Sequence, residues 1–320
     1  MKVGVLTVLF GSMSLEAALD YVRSVGVEAV EIGCGGYPGD AHCKPAELLR
    51  DEAAARAFLR AVRSRGLEIS ALSVHGNSVH PSPAIAEAHH TTLANAIRLA
   101  SRLDIGTVIT FSGCPGGGPE DKTPNWVTCP WPPDFSDTVK WQWEEVLIPY
   151  WQKTCAMARD QGVRIALEMH PGFCVYNPET MLALREAVGD NLGANLDPSH
   201  LFWQGIDPVY AIRALGPAIF HFHAKDTGVD PVNTNVNGVL DTKPYRLESR
   251  RSWIFRTVGY GHGEDVWRAI ISNLRLVGYD GALSIEHEDS LMSAREGFEK
   301  AVQFLKRIVI VEQAGEAYWA

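Results

Sequence analysis

The sequence has no Cys-x-x-Cys pair. Its six cysteines (Cys34, Cys43, Cys114, Cys129, Cys155 and Cys174) are spread over 320 residues. That is too few and too scattered for a disulfide scaffold or a zinc knuckle, and it fits reduced thiols. Positive charge is also short. The 29 Lys+Arg against 38 Asp+Glu leave a net charge of −9, which repels a phosphate backbone and argues against a nucleic-acid partner. No uncharged apolar run approaches the roughly 20 residues of a membrane helix, so no membrane partner is expected. The short apolar run from Val3 to Phe10 has no good cleavage site after it. It reads as a first strand, and the expected location is cytoplasmic. No Pro/Gly/Ser linker or composition break divides the chain, so residues 1–320 are expected to form one domain. There is no Walker-type loop, and Gly259-Tyr260-Gly261-His262-Gly263 lacks the preceding strand and acidic partner of a dinucleotide fold.

What the chain has is apolar content in a regular order. Hydrophobic residues make up 46% and charged residues 21%, enough to bury a substantial core. Short β-branched runs predict strands at Val3–Leu9, Val27–Ile32, Glu68–Val74, Thr107–Phe111, Arg164–Glu168, Leu192–Asp197, Ile219–His223 and Ala282–Glu286. Amphipathic stretches between them predict helices, as at Ser14–Val25, where Leu15, Ala18, Leu19 and Val22 keep the spacing of one buried stripe. Gly26, Gly66 and Gly162 read as helix stops leading into strands. Eight strand–helix units predict an α/β fold, a (β/α)8 barrel of the TIM type, with a doubly wound sheet as the alternative. Two connections exceed ordinary loop length, Ser112 to about Lys140 and Asp226 to about Thr257, after the fourth and seventh strands. In a barrel both would lie on the C-terminal face and are expected to cover the site.

Polar residues fall at the strand ends. Glu168, Asp197, His223 and Glu286 finish four consecutive strands, the fifth to the eighth. One such residue alone reads as a helix cap or an ion-pair partner; four in register converge on the face where barrel active sites sit. Three carboxylates brought together repel one another unless a cation neutralises them. Three oxygens and one imidazole suit a single divalent ion, Mn²⁺ first, with Mg²⁺, Co²⁺ or Zn²⁺ also compatible. Residues two apart on a strand share a face, which puts His170 with Glu168 and Glu288 with Glu286. His170 is then either an acid/base or a partner of a loop carbonyl. His221, deeper in its strand, reads as a packed core histidine. His75 and Asn77, after the third strand, are expected to line the substrate pocket opposite the metal. The tryptophans of the first long connection read chiefly as loop packing.

The strand-end set resembles the xylose-isomerase-like TIM barrels, the sugar phosphate isomerase/epimerase superfamily. Several strings are closer to one branch: Glu168-Met169-His170-Pro171, Asp197-Pro198-Ser199-His200-Leu201, Trp203-Gln204-Gly205, His223-Ala224-Lys225-Asp226, Phe255-Arg256, Gly261-His262-Gly263 and Glu286-His287-Glu288-Asp289. They are similar to the catalytic α-subunits of 3-oxo-glucoside C-deglycosidases and their 3-keto-sugar lyase relatives. The resemblance implies Glu168, Asp197, His223 and Glu286 as metal ligands, with Glu168 and Glu286 also catalytic. It implies His170 as an acid/base and His200, Lys225 and Arg256 as contacts to substrate or ligands. It also brings a homo-oligomer and a small accessory subunit as expected partners.

The expected chemistry is proton removal beside a sugar carbonyl through a metal-stabilised enediolate. Reprotonation gives a keto-sugar isomerase or epimerase, the leading expectation. Loss of a β-leaving group gives the alternative, a lyase or dehydratase acting on a 3-keto-glycoside, keto-sugar or keto-inositol. An abasic-site nuclease is disfavoured by the charge, and a non-catalytic sugar-binding subunit by retention of all four donors.

Overall fold

The computed structural model describes residues 1–313, 315, 316 and 319; positions 314, 317, 318 and 320, at the end of the expected domain 1–320, lie outside the described residues. Strands β1 (Lys2–Leu6), β2 (Ala29–Gly33), β3 (Glu68–Ser73), β4 (Thr107–Phe111), β5 (Arg164–Glu168), β6 (Leu192–Leu196) and β7 (Ile219–Ala224) run parallel. A short antiparallel ribbon follows, β8 (Asp226–Val229) with β9 (Trp253–Arg256). Strand β10 (Ala282–Ile285) pairs with both β1 and β7 and closes the barrel, in the order β1-β10-β7-β6-β5-β4-β3-β2. Closure decides for the (β/α)8 barrel over the doubly wound sheet.

Strand alternation sorts the side chains into two environments. Ile165, Leu167 and Phe222 belong to the large core between strands and helices, and Phe222 meets the ring of Trp267. The residues between them, Ala166, Glu168, His221 and His223, take the opposite phase and fill the barrel. Ala71, Ile109 and Ala166 form a small separate apolar cluster, and the carboxylates and imidazoles lie with them inside the ring of strands.

The helices follow local sequence rules. Leu15–Val25 starts at Ser14, whose hydroxyl accepts from the Ala17 amide, and stops at Gly26 with φ 100°. That left-handed conformation strains any residue with a Cβ, which is why a glycine ends the helix there. Its buried stripe is Ala18, Leu19 and Val22; truncating Leu19 to Ala would cost about 2–5 kcal/mol as cavity and lost transfer energy.

Three segments differ from the sequence expectation. The first strand ends at Leu6, and Thr7–Phe10 form a turn of 3₁₀ helix instead of continuing to Leu9. The connection Ser112–Lys140 carries most of a helix, Pro133–Trp141, that runs through a π-helical turn, Gln142–Leu147, into Ile148–Asp160. Pro149 has no N–H to give the carbonyl four residues back, so a widened turn next to it is the expected accommodation. The connection Asp226–Thr257 contains the ribbon and a helix, Pro231–Asn237.

Candidate metal centre

Glu168, Asp197, His223 and Glu286 each bring one donor atom to a common region, all within 4.8 Å of one another. Glu168 closes β5, and Asp197 directly follows β6. His223 is the penultimate residue of β7, and Glu286 directly follows β10. His223 Nδ1 lies 3.2 Å from Glu168 Oε2 and 3.1 Å from Glu286 Oε2. The other three side chains are buried, whereas Glu286 keeps 18% of its surface, so the cluster opens on that side.

Each donor is oriented by its neighbours. Asp197 Oδ1 accepts from the Ser199 amide at 2.8 Å, capping the short helix Pro198–Phe202, and Oδ2 is left without a hydrogen bond. His223 Nε2 donates to both oxygens of Glu31 at 3.0 Å, and its Nδ1 is likewise without a hydrogen-bond partner. Asn195 donates to Glu168 Oε2 at 3.3 Å and accepts from His221 Nδ1 at 3.1 Å. His221 is therefore a satisfied, buried histidine below the cluster.

Burial opposes charge on every one of these groups, and their neighbours decide the outcome. For Glu168, burial is outweighed by His75 and His223, which hold its carboxyl well below the usual carboxylate range. For Glu286, burial is outweighed by Lys225 and His223 in the same sense. For His223, burial is outweighed by Glu31, Glu286 and Glu168, which raise its imidazole well above the usual value. A positive charge is thus strongly favoured among these carboxylates, and a proton on Nδ1 and a cation there are alternatives.

The residues fit a divalent cation. Two buried atoms, Asp197 Oδ2 and His223 Nδ1, make no hydrogen bond. Asp197 Oδ2 has the Lys225 ammonium at 3.2 Å, whereas His223 Nδ1 faces only carboxylate oxygens, an expensive arrangement unless a proton or a cation occupies its lone pair. The donor set is oxygen and imidazole without thiolate, which suits Mn²⁺ or Mg²⁺ and is open to Co²⁺ or Zn²⁺. Ligand atoms about 2.1 Å from one ion at right angles lie about 3.0 Å apart, close to the 3.1 and 3.2 Å edges at His223.

The surrounding residues divide clearly. His75 Nε2 lies 2.9 Å from Glu168 Oε2, so His75 is at the cluster itself and not across a pocket from it. His200 Nε2 stands 3.3 Å from both Glu168 Oε1 and Asp197 Oδ2, buried and without a hydrogen bond. His170 donates through Nδ1 to the Pro171 carbonyl at 2.6 Å and packs 4.1 Å from the His200 ring. Burial and the neighbouring His200 push its imidazole down to about 3. One nitrogen of His170 is thus tied to a loop carbonyl, and the ring borders Glu168. Lys225 Nζ sits among Glu286 at 2.8 Å, Glu288 at 3.0 Å and Asp197 at 3.2 Å, with the Phe255 ring 4.6 Å away.

Two expected substrate contacts are placed elsewhere. Both ends of the Asn77 amide are engaged by the Cys114 backbone, at 2.8 and 3.1 Å, so Asn77 clamps the start of the first long connection. Arg256 alternates with Phe255 on β9; Phe255 faces His200 and Lys225, while Arg256 turns to Asp289 at 3.1 Å and to Tyr260. The ribbon thus covers the site with an aromatic ring, not a guanidinium. A cavity of about 620 Å³ is bordered by Trp126, Trp143, Cys174 and Tyr176 and by none of the four donors.

Sequence reasoning missed Glu31. It sits in mid-strand, is fully buried, and touches His223, Ser73 and Ser284. The signal was a carboxylate in an otherwise apolar five-residue strand, Ala29-Val30-Glu31-Ile32-Gly33, where only a specific partner justifies its burial.

A sequence model of the family described as xylose isomerase-like TIM barrel matches residues 19–308. Among characterised and uncharacterised proteins, the chain is 38% identical over 312 residues to the uncharacterized protein YfiH of Bacillus subtilis (strain 168), covering 97% of this chain and 99% of that one. Among solved structures it is similar to the probable 3-DHS dehydratase AsbF of Bacillus anthracis, with a TM-score of 0.66 at 19% identity over 96% of this chain and 99% of the other. It is also similar to D-psicose 3-epimerase of Clostridium cellulolyticum H10, with a TM-score of 0.59 at 14% identity over 97% and 99%. Among the described residues no helix is long and apolar enough to cross a membrane.

Proposed function

The chain belongs to the xylose isomerase-like TIM-barrel family, and from that premise we propose that it is a divalent-metal-dependent isomerase or epimerase of a keto-sugar. The observation that carries the reading is the convergence of Glu168, Asp197, His223 and Glu286, with Asp197 Oδ2 and His223 Nδ1 buried and making no hydrogen bond. These four residues would hold one ion, Mn²⁺ by preference. A bound divalent ion supplies Lewis acidity toward a carbonyl and an adjacent hydroxyl, which acidifies the neighbouring C–H.

The chain's own residues do the rest. Glu168 and Glu286 reach the cluster from strand ends that stand three apart around the barrel. That separation suits one carboxylate to take the proton beside the carbonyl and the other to return it on the neighbouring carbon or the opposite face. His75 and Asn195 fix Glu168 through its Oε2. Phe255 from the ribbon shields Lys225 and His200 from water, and His170 carries a free Nε2 beside Glu168 for proton exchange.

A second reading, β-elimination from a 3-keto-glycoside or keto-sugar, is favoured by Lys225 and Glu288. Lys225 is held between Glu286 and Glu288, and Glu288 keeps 47% of its side chain exposed at the mouth. The Lys225 ammonium, beside Glu288, is the proton-bearing group that can protonate a departing group. One experiment separates the readings: metal analysis of the purified protein, then a screen of keto-sugars and 3-keto-glycosides with Mn²⁺ in D₂O, followed by NMR and mass spectrometry. Deuterium on carbon beside the carbonyl without loss of mass supports isomerisation or epimerisation; loss of a leaving group supports elimination. A protein that holds no divalent ion and exchanges no carbon-bound hydrogen sinks both.

A further inference from the structure

Glu31 is an unusual residue for its place. It lies in the middle of β2, its side chain points into the barrel, and it is fully buried. Mid-strand positions facing a barrel interior are ordinarily filled by packing residues, and a buried carboxylate is tolerated only where donors meet it. Three donors from three other strands do so. The Ser73 hydroxyl of β3 donates to Oε1, the Ser284 hydroxyl of β10 donates to Oε2 at 2.6 Å, and His223 of β7 lies 3.0 Å from both oxygens.

We infer that Glu31 is a positioning residue that acts through His223, fixing the imidazole as the Nε2–H tautomer so that Nδ1 presents its lone pair to the cation site. This rests on the metal reading above and goes one step deeper into it. The geometry is specific in three respects. The Nε2–H has both carboxylate oxygens as acceptors, so the opposite nitrogen is the one left bare. That nitrogen, Nδ1, has no hydrogen-bond partner and lies between Glu168 and Glu286. Ser73 and Ser284 occupy the remaining lone pairs of Glu31 and prevent the carboxylate from rotating away. The same residue adds a fourth carboxylate, one layer below the cluster, to the three that surround the cation. A carboxylate behind a ligating histidine raises the basicity of that ligand, and its removal typically weakens metal affinity about 10–100-fold.

A packing role for Glu31 would predict a different outcome, since a filler of equal volume would serve. The test compares the full-length chain with Glu31→Gln and Ser284→Ala, titrating each with Co²⁺ against a competing chelator and recording the visible spectrum of bound Co²⁺ and the far-UV circular dichroism. The expected result is one Co²⁺ per wild-type chain. Glu31→Gln should keep its secondary structure but bind roughly 10–100-fold more weakly with a shifted Co²⁺ spectrum. Ser284→Ala, which leaves the charge but loosens its aim, should shift both readouts in the same direction and less. Wild-type affinity and spectrum in a folded Glu31→Gln protein would overturn the inference and leave the metal reading standing. A wild-type chain that binds no divalent ion would overturn both. Should Glu31→Gln fail to fold, Ser284→Ala and Ser73→Ala decide, and unchanged affinity in both overturns the inference.

Discussion

His75 Nε2 donates to Glu168 Oε2 across 2.9 Å, joining the loop after the third barrel strand to the carboxylate that ends the fifth. Asn195 donates to the same oxygen, so Glu168 is held from two sides. Replacing His75 with Ala should let the carboxylate swing. The expected outcome is a loss of about 10-fold or more in divalent-ion affinity with the fold intact, read by metal titration. His75→Ala that binds as the wild type does would show that Asn195 alone suffices.

Lys225 is buried among Asp197, Glu286 and Glu288, and despite its burial these carboxylates hold its ammonium in the charged form. Without an ion it is a principal counter-charge of the cluster. Lys225→Met should therefore destabilise the metal-free protein by about 3–5 kcal/mol, the cost of leaving buried charges unpaired. Added Mn²⁺ should restore part of that loss in a thermal denaturation series. An equal shift with and without Mn²⁺ would separate Lys225 from the cation site.

The fold was legible because two periodicities alternate. Strand runs such as Arg164–Glu168 and helix stripes such as Leu15, Ala18, Leu19 and Val22 recur in fixed order, and the structure places both as read. The four strand-end donors were visible because each ends a predicted strand; their convergence is a consequence of closure. What sequence could not show depends on contacts between strands. Glu31 lies inside a strand, and its meaning appears only when His223, 192 residues away, is seen beside it. The ribbon β8–β9 consists of two four-residue strands paired with each other, too short for alternation to register. The pairing of Arg256 with Asp289 was hidden for the same reason: its direction is set by ribbon phase, which the sequence did not reveal.

The segment that carries the ribbon is tied down at Asp241, whose carboxylate accepts from the Ser252 amide at 2.7 Å and pairs with Lys243 at 2.8 Å. Burial works against its ionisation, but Lys243 and the Ser252 amide hold its pKa down to about 2. With an unfolded value near 3.9, the unfolded chain binds the proton first as pH falls. The stabilisation is therefore complete above about pH 4 and is lost toward pH 2. Asp241→Asn should cost about 1–2 kcal/mol at pH 7, discounted because Lys243 is partly solvated. The difference from wild type should shrink in urea titrations between pH 4 and 2. A difference that stays constant over that range would assign the loss to packing and not to charge.

His170 offers a test that divides binding from turnover. Its Nδ1–H is committed to the Pro171 carbonyl at 2.6 Å, which leaves Nε2 as the nitrogen able to take up a proton. Phe111 and Phe173 pack edge-on against the ring at 4.9 and 5.6 Å, and His200 lies 4.1 Å away, so its position is fixed without help from an ion. Burial and His200 depress the imidazole to about 3, so the resting ring is neutral at pH 7 and has no proton on Nε2 to give. As an acceptor it is weak until a neighbouring negative charge supports the proton. His170→Ala should then hold a divalent ion as the wild type does. It should lose about 10²–10⁴ in turnover, the usual worth of general acid–base help, with deuterium uptake from D₂O into substrate carbon falling in parallel. His170→Gln, which keeps bulk and a hydrogen bond but cannot take up the proton, should behave like Ala. Full activity in His170→Gln would reduce His170 to a packing residue and leave Glu168 and Glu286 to exchange the proton between them.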